Sequence, residues 1–164
     1  MLFRSDEAPL DNDVRHRFTS SVQVFIPNTI KPRLFGLPIP NGWSMDVQMY
    51  FESGKPFTPS STYPGINTNL GENIQRNSLR KPSILNFDVR FSKDFVVLGL
   101  DNKIIFQVEN VFDNKNISDV YSNTGLPNTS QNINGIIFEG TPYDQNPALY
   151  EYGRQVRLGI EINL

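Results

Sequence analysis

Arg15, His16 and Arg17 stand in a row and would suit an anionic substrate or a lipid phosphate. As plain architecture the same triplet opens a strand at an interface, with the histidine on its polar side. Asp11 and Asp13 flank Asn12, an alphabet that binds calcium, but the Gly and Glu that complete a calcium loop do not follow. These residues read as a solvated loop. Asp88 and Glu109 invite comparison with an acid–base pair. Hydrolytic carboxylates need a controlled separation, and arginines with the same strand parity make ion pairing the better expectation. The Asn110–Asn116 segment, rich in Asn and Asp, is expected to end a strand through side-chain-to-backbone hydrogen bonds rather than to hold a ligand. Asn116 and Asn128 open N-x-Ser/Thr sequons, which matter only in a eukaryotic secreted protein. There is no nucleophile elbow, phosphate loop or metal-binding motif, so the expectation is no enzyme and no cofactor.

The composition narrows the classes further. Of 164 residues none is cysteine, which removes disulfides, thiolate metal sites and cysteine nucleophiles, and His16 is the one histidine. Net charge is −2 and the pI near 5.4, without the basic field that nucleic acid requires. The longest apolar run, Phe95 to Leu98, is far too short for a spanning helix. Alanine occurs twice, against 18 asparagines, 12 prolines and 11 glycines. Alanine is the best helix former, while Asn, Gly and Pro favour turns, so the chain should be strand and loop. The opening MLFRSDEAPLDND lacks the apolar core of a signal peptide. The expectation is a cytoplasmic protein or a chain that does not start the natural polypeptide.

Period-two alternation marks five strands of about ten residues. From Trp43 to Glu52, Trp43, Met45, Val47, Met49 and Phe51 share one face, opposite Ser44, Asp46, Gln48, Tyr50 and Glu52. From Leu85 to Phe95, Leu85, Phe87, Val89, Phe91 and Phe95 oppose Asn86, Asp88, Arg90, Ser92 and Asp94. At the C-terminus Val156, Leu158, Ile160, Ile162 and Leu164 alternate with polar residues and Gly159. Phe18–Ile26 and Lys103–Phe112 alternate less cleanly. Val96–Asn102 should make a tight hairpin and Pro27–Gly42 a medium link, whereas Ser53–Ile84 and Asp113–Glu151 are long, Asn/Pro/Gly-rich loops.

Alternation alone suits a soluble sandwich as well as a membrane barrel. Strand lengths near the 9–11 residues that cross a bilayer favour the barrel. So do aromatics near strand ends (Trp43, Phe51, Phe87, Phe95, Phe112, Tyr152) and mid-strand charges on the other face. A mean hydropathy of −0.37 is compatible, because only alternate strand residues would meet lipid.

The order of local motifs adds to this. Arg15-His16-Arg17-Phe18 opens one strand and Gly42-Trp43 the next, which closes with Ser53-Gly54-Lys55-Pro56-Phe57-Thr58. Arg80 and Pro82 precede the strand that ends Ser92-Lys93-Asp94-Phe95. The run Val108 to Asn116 (VENVFDNKN), Val120-Tyr121, Thr124-Gly125-Leu126-Pro127, Asn146-Pro147 and Tyr152 to Ile160 (YGRQVRLGI) follow. Across residues 13 to 164 this succession resembles the C-terminal end of TonB-dependent outer-membrane receptors, particularly the larger Bacteroidetes-like members. The resemblance implies an all-β fold: about five to six strands of an antiparallel 22-stranded transmembrane barrel with long external loops, residues 15–164 belonging to the barrel and 1–14 to a preceding loop. It implies the outer membrane of a Gram-negative bacterium and transport of a scarce nutrient such as a siderophore or glycan. Its implied partners are outer-membrane lipid, the nutrient, TonB acting through an N-terminal plug outside these residues, and a surface lipoprotein. The two long loops would be external and Val96–Asn102 and Pro27–Gly42 periplasmic. The family usually ends on an aromatic residue, where this sequence has Leu164. Five strands do not close a barrel, so the chain is expected to be the last part of a longer receptor.

Within the external loops Tyr63, Tyr121, Tyr143 and Tyr150, amid abundant Asn, are the candidates for ligand contact, or else they pack the loops together. Two other readings stay open. One is a complete small outer-membrane barrel of eight strands, an adhesin or structural protein, with further strands near Arg33–Ile39 and Ile133–Glu139. The other is a soluble carbohydrate-binding β-sandwich.

Overall fold

The computed structural model describes residues 7–64, 66, 74–130, 132–133, 136–137 and 146–162. Among them the structure is all-β, without an α-helix. Five long strands carry the fold: β1 (Arg17–Ile26), β4 (Trp43–Glu52), β7 (Ile84–Val97), β8 (Leu100–Glu109) and β11 (Gln155–Ile162). Three antiparallel pairs of two-residue strands accompany them: β2 (Arg33–Leu34) with β3 (Leu37–Pro38), β5 (Pro56–Phe57) with β6 (Leu79–Arg80), and β9 (Asn132–Ile133) with β10 (Ile136–Ile137). The long strands form one open sheet in the order β1-β4-β7-β8-β11, with β1 and β11 as its edges. The β2–β3 and β9–β10 pairs are separate two-stranded sheets rather than members of this sheet.

The chain divides into two compact units. One gathers Met1–Arg17, Phe51–Ile84 and Lys115–Tyr152, and the other gathers Phe18–Tyr50, Leu85–Asn114 and Gly153–Leu164, which hold most of the sheet.

Register decides which side chains share a face. Val89 pairs with Val108 and Val108 with Val156, and the next row on that face is Phe91, Phe106 and Leu158. The alternate rows are Arg90, Gln107 and Arg157, then Ser92, Ile105 and Gly159, then Asp94, Lys103 and Glu161. Contacts with β4 extend both faces: the Trp43 ring stacks on Phe91 at 6.0 Å between centroids, while the Ser44 and Ser92 hydroxyls share a 2.8 Å hydrogen bond. The two faces expected from alternation are therefore two real surfaces, one apolar and one polar. The separation has exceptions on both sides: Val96 and Ile105 on the polar face, and Lys93 and Asn102 on the apolar one.

No second layer of the described residues covers the apolar face. Val156, Leu158, Ile160 and Ile162 are 59–70 % exposed, and among the described residues Val120 is the one buried hydrophobic side chain.

Strand ends follow local chemistry. Leu98 and Gly99 both take positive φ, 55° and 79°, the signature of a two-residue type I′ turn, so β7 and β8 run closer to their turn than the expected link Val96–Asn102. β8 stops at Glu109 rather than Phe112 because Asn110 turns into the left-handed region at φ 53°. The Asn110 N–H donates to the Asp88 carboxylate at 2.8 Å. Its side chain accepts from the Asn114 N–H and donates to the Asn114 carbonyl, both at 2.9 Å. Asn114 in turn donates to the Leu85 carbonyl at 2.9 Å. The Asn-rich segment ends its strand by side-chain-to-backbone bonding, as its composition predicts.

Candidate functional site

Two features could meet a ligand or partner: the loop unit that carries the candidate tyrosines, and the polar face of the sheet.

The loop unit is organised by polar contacts. The Lys81 N–H bonds to the Lys55 carbonyl at 2.9 Å beside the β5–β6 pair. Gly54 is required here, since a β-carbon on it would lie 1.6 Å from the Lys81 carbonyl oxygen. Arg80 donates to the Gly54 and Asp13 carbonyls at 3.0 and 2.9 Å and pairs with the Asp13 carboxylate. Asn77, buried at φ 57°, donates to the Pro9 carbonyl and the Asp11 carboxylate, both at 2.7 Å, and receives Thr58 support from the other side. Arg76 reaches the same Asp11 carboxylate at 2.9 and 3.0 Å. The Asn77 side-chain bond, then the Arg76 contact and charge, hold the Asp11 carboxyl below its ordinary pKa. Asp11 and Asp13 lie in a loop as expected, Asp11 largely exposed, and their side chains also fasten 9–13 to 76–80.

Glu52, 3 % exposed, pairs with Arg17 at 2.9 Å and Lys55 at 3.6 Å. His16 sits beside this pair through its backbone: its N–H donates to Ser53 Oγ at 3.0 Å and its carbonyl accepts the Ser53 N–H at 2.8 Å. Of the Arg15-His16-Arg17 triplet, Arg17 thus ends in an ion pair and His16 in strand pairing.

The tyrosines part company. Tyr63 meets Phe57 edge-on at 6.4 Å, and Gly125, at φ 71°, comes close under its ring. Tyr121 shapes the same turn, its N–H bonding to the Leu126 carbonyl and its carbonyl accepting from Thr124 and Gly125. The Ser60 N–H bonds to the Ser122 carbonyl at 2.9 Å, so the Tyr63 and Tyr121 segments meet. Tyr150 lies apart from them, in an isolated bridge to Ile117 after the 3-10 turn Pro147–Leu149. Tyr143 lies outside the described residues. Tyr63, Tyr121 and Tyr150 are all half-buried.

Lys81 ties the second loop down. Its ammonium bonds to the Ser118 carbonyl at 3.2 Å and the Asp119 carboxylate at 2.9 Å. Partial burial of Asp119 opposes its ionisation, but the Lys81 bond, the Val120 N–H and the Lys81 charge outweigh it and lower the pKa. Buried Thr124 donates to the Thr129 carbonyl, and Asn116, 5 % exposed, accepts the Glu151 N–H on its carbonyl at 2.9 Å. Glu52, Asn77, Arg80 and Lys81 are the residues sequence reasoning did not single out for a role. Arg80 stood in the motif order, but a lone basic or acidic residue gives no sign of a partner remote in sequence.

The polar face of the sheet has a shallow concavity of about 280 Å³ lined by Gln23, Asp46, Gln48, Asp88, Arg90 and Gln107, with Val89 at its margin. Amides, carboxylates and a guanidinium together suit hydroxyl-rich or zwitterionic surfaces. Asp88 and Glu109 are not poised as an acid–base pair: Asp88 accepts the Asn110 N–H, and Glu109 accepts from Gln107 and Arg157. Among the described residues no three His, Asp or Glu side chains gather to hold a metal.

Comparison with protein-family models, curated proteins and solved structures gives no match to this chain.

Proposed function

We propose that this chain is the C-terminal barrel segment of a TonB-dependent receptor that carries a scarce nutrient across the outer membrane. The observation that supports it is the unpartnered apolar face: rows Val89–Val108–Val156 and Phe91–Phe106–Leu158 run in register, the next row Lys93–Ile104–Ile160 adds one lysine, and the alternate rows are mainly polar. A water-soluble sheet of this size would lay that face against a second layer. Lipid is the solvent that leaves it uncovered, with the polar face turned to a wet or plugged lumen. The edges β1 and β11 call for further strands on both sides, as a larger closed barrel would provide. Aromatics cluster toward strand ends, Trp43 at one and Phe87 with Phe112, 5.0 Å apart, at the other, in the manner of interfacial girdles. The external loops, with the Tyr63 and Tyr121 segments joined by the Ser60–Ser122 backbone bond, then supply contacts to the nutrient.

The test is the intact mass of the native polypeptide carrying this sequence in the outer-membrane fraction of its source cell. A mass several times 18.7 kDa is expected. A membrane species of 18.7 kDa would support the eight-stranded barrel instead, and recovery only from the soluble fraction would overturn the membrane reading.

A further inference from the structure

The hairpin between β1 and β4 is built unlike an ordinary turn. Its tip residues Phe35 and Gly36 have φ 50° and 83°, a type I′ geometry closed by Arg33–Pro38 and Leu34–Leu37 pairing. That geometry favours Asn or Gly at its first position, and a bulky side chain there is strained. Phe35 nevertheless occupies it and is 96 % exposed, with Leu34 and Leu37 also exposed beside it. Strain and exposure together make a poor solution for an isolated hairpin, and they point to something apolar that receives the tip.

Charge identifies the receiver. Lys31 and Arg33 are exposed on the same hairpin, and among the described residues neither meets a carboxylate. From Pro27 to Met45 the sequence has no acidic residue, although Lys31 and Arg33 fall there. The β7–β8 hairpin is an internal comparison. Leu98 stands at the same turn position and is equally exposed, but Asp94 and Asp101 accompany it along with Lys103.

We propose that the 31–39 hairpin docks on an anionic lipid surface, with Leu34, Phe35 and Leu37 entering the boundary between headgroups and acyl chains and Lys31 and Arg33 on the lipid phosphates. Basic residues flanking an aromatic and aliphatic tip are what an interfacial anchor requires. A protein groove would receive the apolar tip equally well but gives no reason for a link that carries two cations and no acid. The inference rests on the membrane reading above and adds to it the lipid class and the residues that select it.

The experiment uses the intact protein in bilayers, with Phe35→Trp in a Trp43→Phe background so that residue 35 carries the sole tryptophan. A companion variant places the sole tryptophan at Leu158→Trp, on the apolar face. Quenching by brominated phosphatidylglycerol is compared with quenching by brominated phosphatidylcholine, with strand content checked by circular dichroism. Both reporters are expected to be quenched, the one at 35 with a preference for the anionic lipid of about fivefold per cation. Lys31→Gln with Arg33→Gln should bring that preference to about one.

Quenching at 158 without quenching at 35 would overturn the hairpin inference and leave the membrane reading standing. Equal quenching at 35 by both lipids would overturn the anionic assignment. A reporter at 35 shielded from both lipid bromine and aqueous iodide would show a protein occupant and overturn it as well. Quenching at neither position would remove the membrane reading with it.

Discussion

Val89 and Val108 face each other directly across the β7–β8 ladder, and Val156 continues their row on β11. In the proposed barrel a charge placed in this row would meet lipid, whereas Arg90, one residue on, belongs to the polar side. Val89→Arg should destabilise the folded protein in bilayers by about 2–4 kcal/mol if the row lies near the midplane. Arg90→Ser should change it far less. Denaturant unfolding in vesicles measures both, and equal effects would contradict the face assignment.

Gly54 approaches the Lys81 carbonyl too closely for any side chain. Gly54→Ala should separate 53–57 from 79–81, with a loss of at least about 2 kcal/mol from displaced backbone bonding and strain. Gly159→Ala is the control, because its added carbon meets Ile105 only at an ordinary 3.9 Å. Limited proteolysis of the loops should accelerate in the first variant and not in the second.

Glu52 is buried against Arg17 and Lys55, both much more exposed than itself. Glu52→Gln keeps the shape and removes the charge that two cations share. A loss of about 1.5–3 kcal/mol is expected, the range of hydrogen bonds to charged groups. A double-mutant cycle with Arg17→Gln should show coupling between the two positions.

Acid should loosen the loops. Asp11 and Asp119 both have pKa values lowered in the folded state, Asp11 chiefly by the Asn77 and Arg76 bonds, Asp119 by Lys81 and the Val120 N–H against a burial penalty. A lowered folded pKa contributes stability above the unfolded value, about 3.9 for Asp, and that contribution disappears as pH falls through the folded value. Amide exchange at 117–121 should therefore speed up as pH drops below about 4, after correction for intrinsic rates. Asp119→Asn should flatten that response.

Leu98 occupies the turn position where Asn is favoured. Leu98→Asn should stabilise the β7–β8 hairpin by about 1 kcal/mol through relief of left-handed strain. Thermal unfolding reads the sign.

The faces of the sheet were legible in the sequence because side-chain direction has period two and the apolar set of Val156 to Ile162 has one consistent parity. The breakpoints were less so. Val111 and Phe112 look like strand residues, and only the left-handed Asn110 with its Asp88 and Asn114 partners takes them out of the ladder. The loop anchors were hidden for another reason. Arg80 with Asp13, and Lys81 with Asp119, join residues far apart along the chain, and a side chain's type does not specify which remote partner it meets.

The Leu98–Gly99 turn also has a kinetic meaning. It joins two strands through the shortest of connections, so their contacts are local and a hairpin of this kind closes within about 1–10 μs. β11 reaches the same β8 only after the chain has passed through 110–154, and such a contact waits on the closure of a long loop. Assembly of the sheet should therefore begin at β7–β8, with the final strand arriving on a template that already exists. The β8 edge would meanwhile stand open to a wrong strand, which makes the time between the two events the interval in which this protein needs protection.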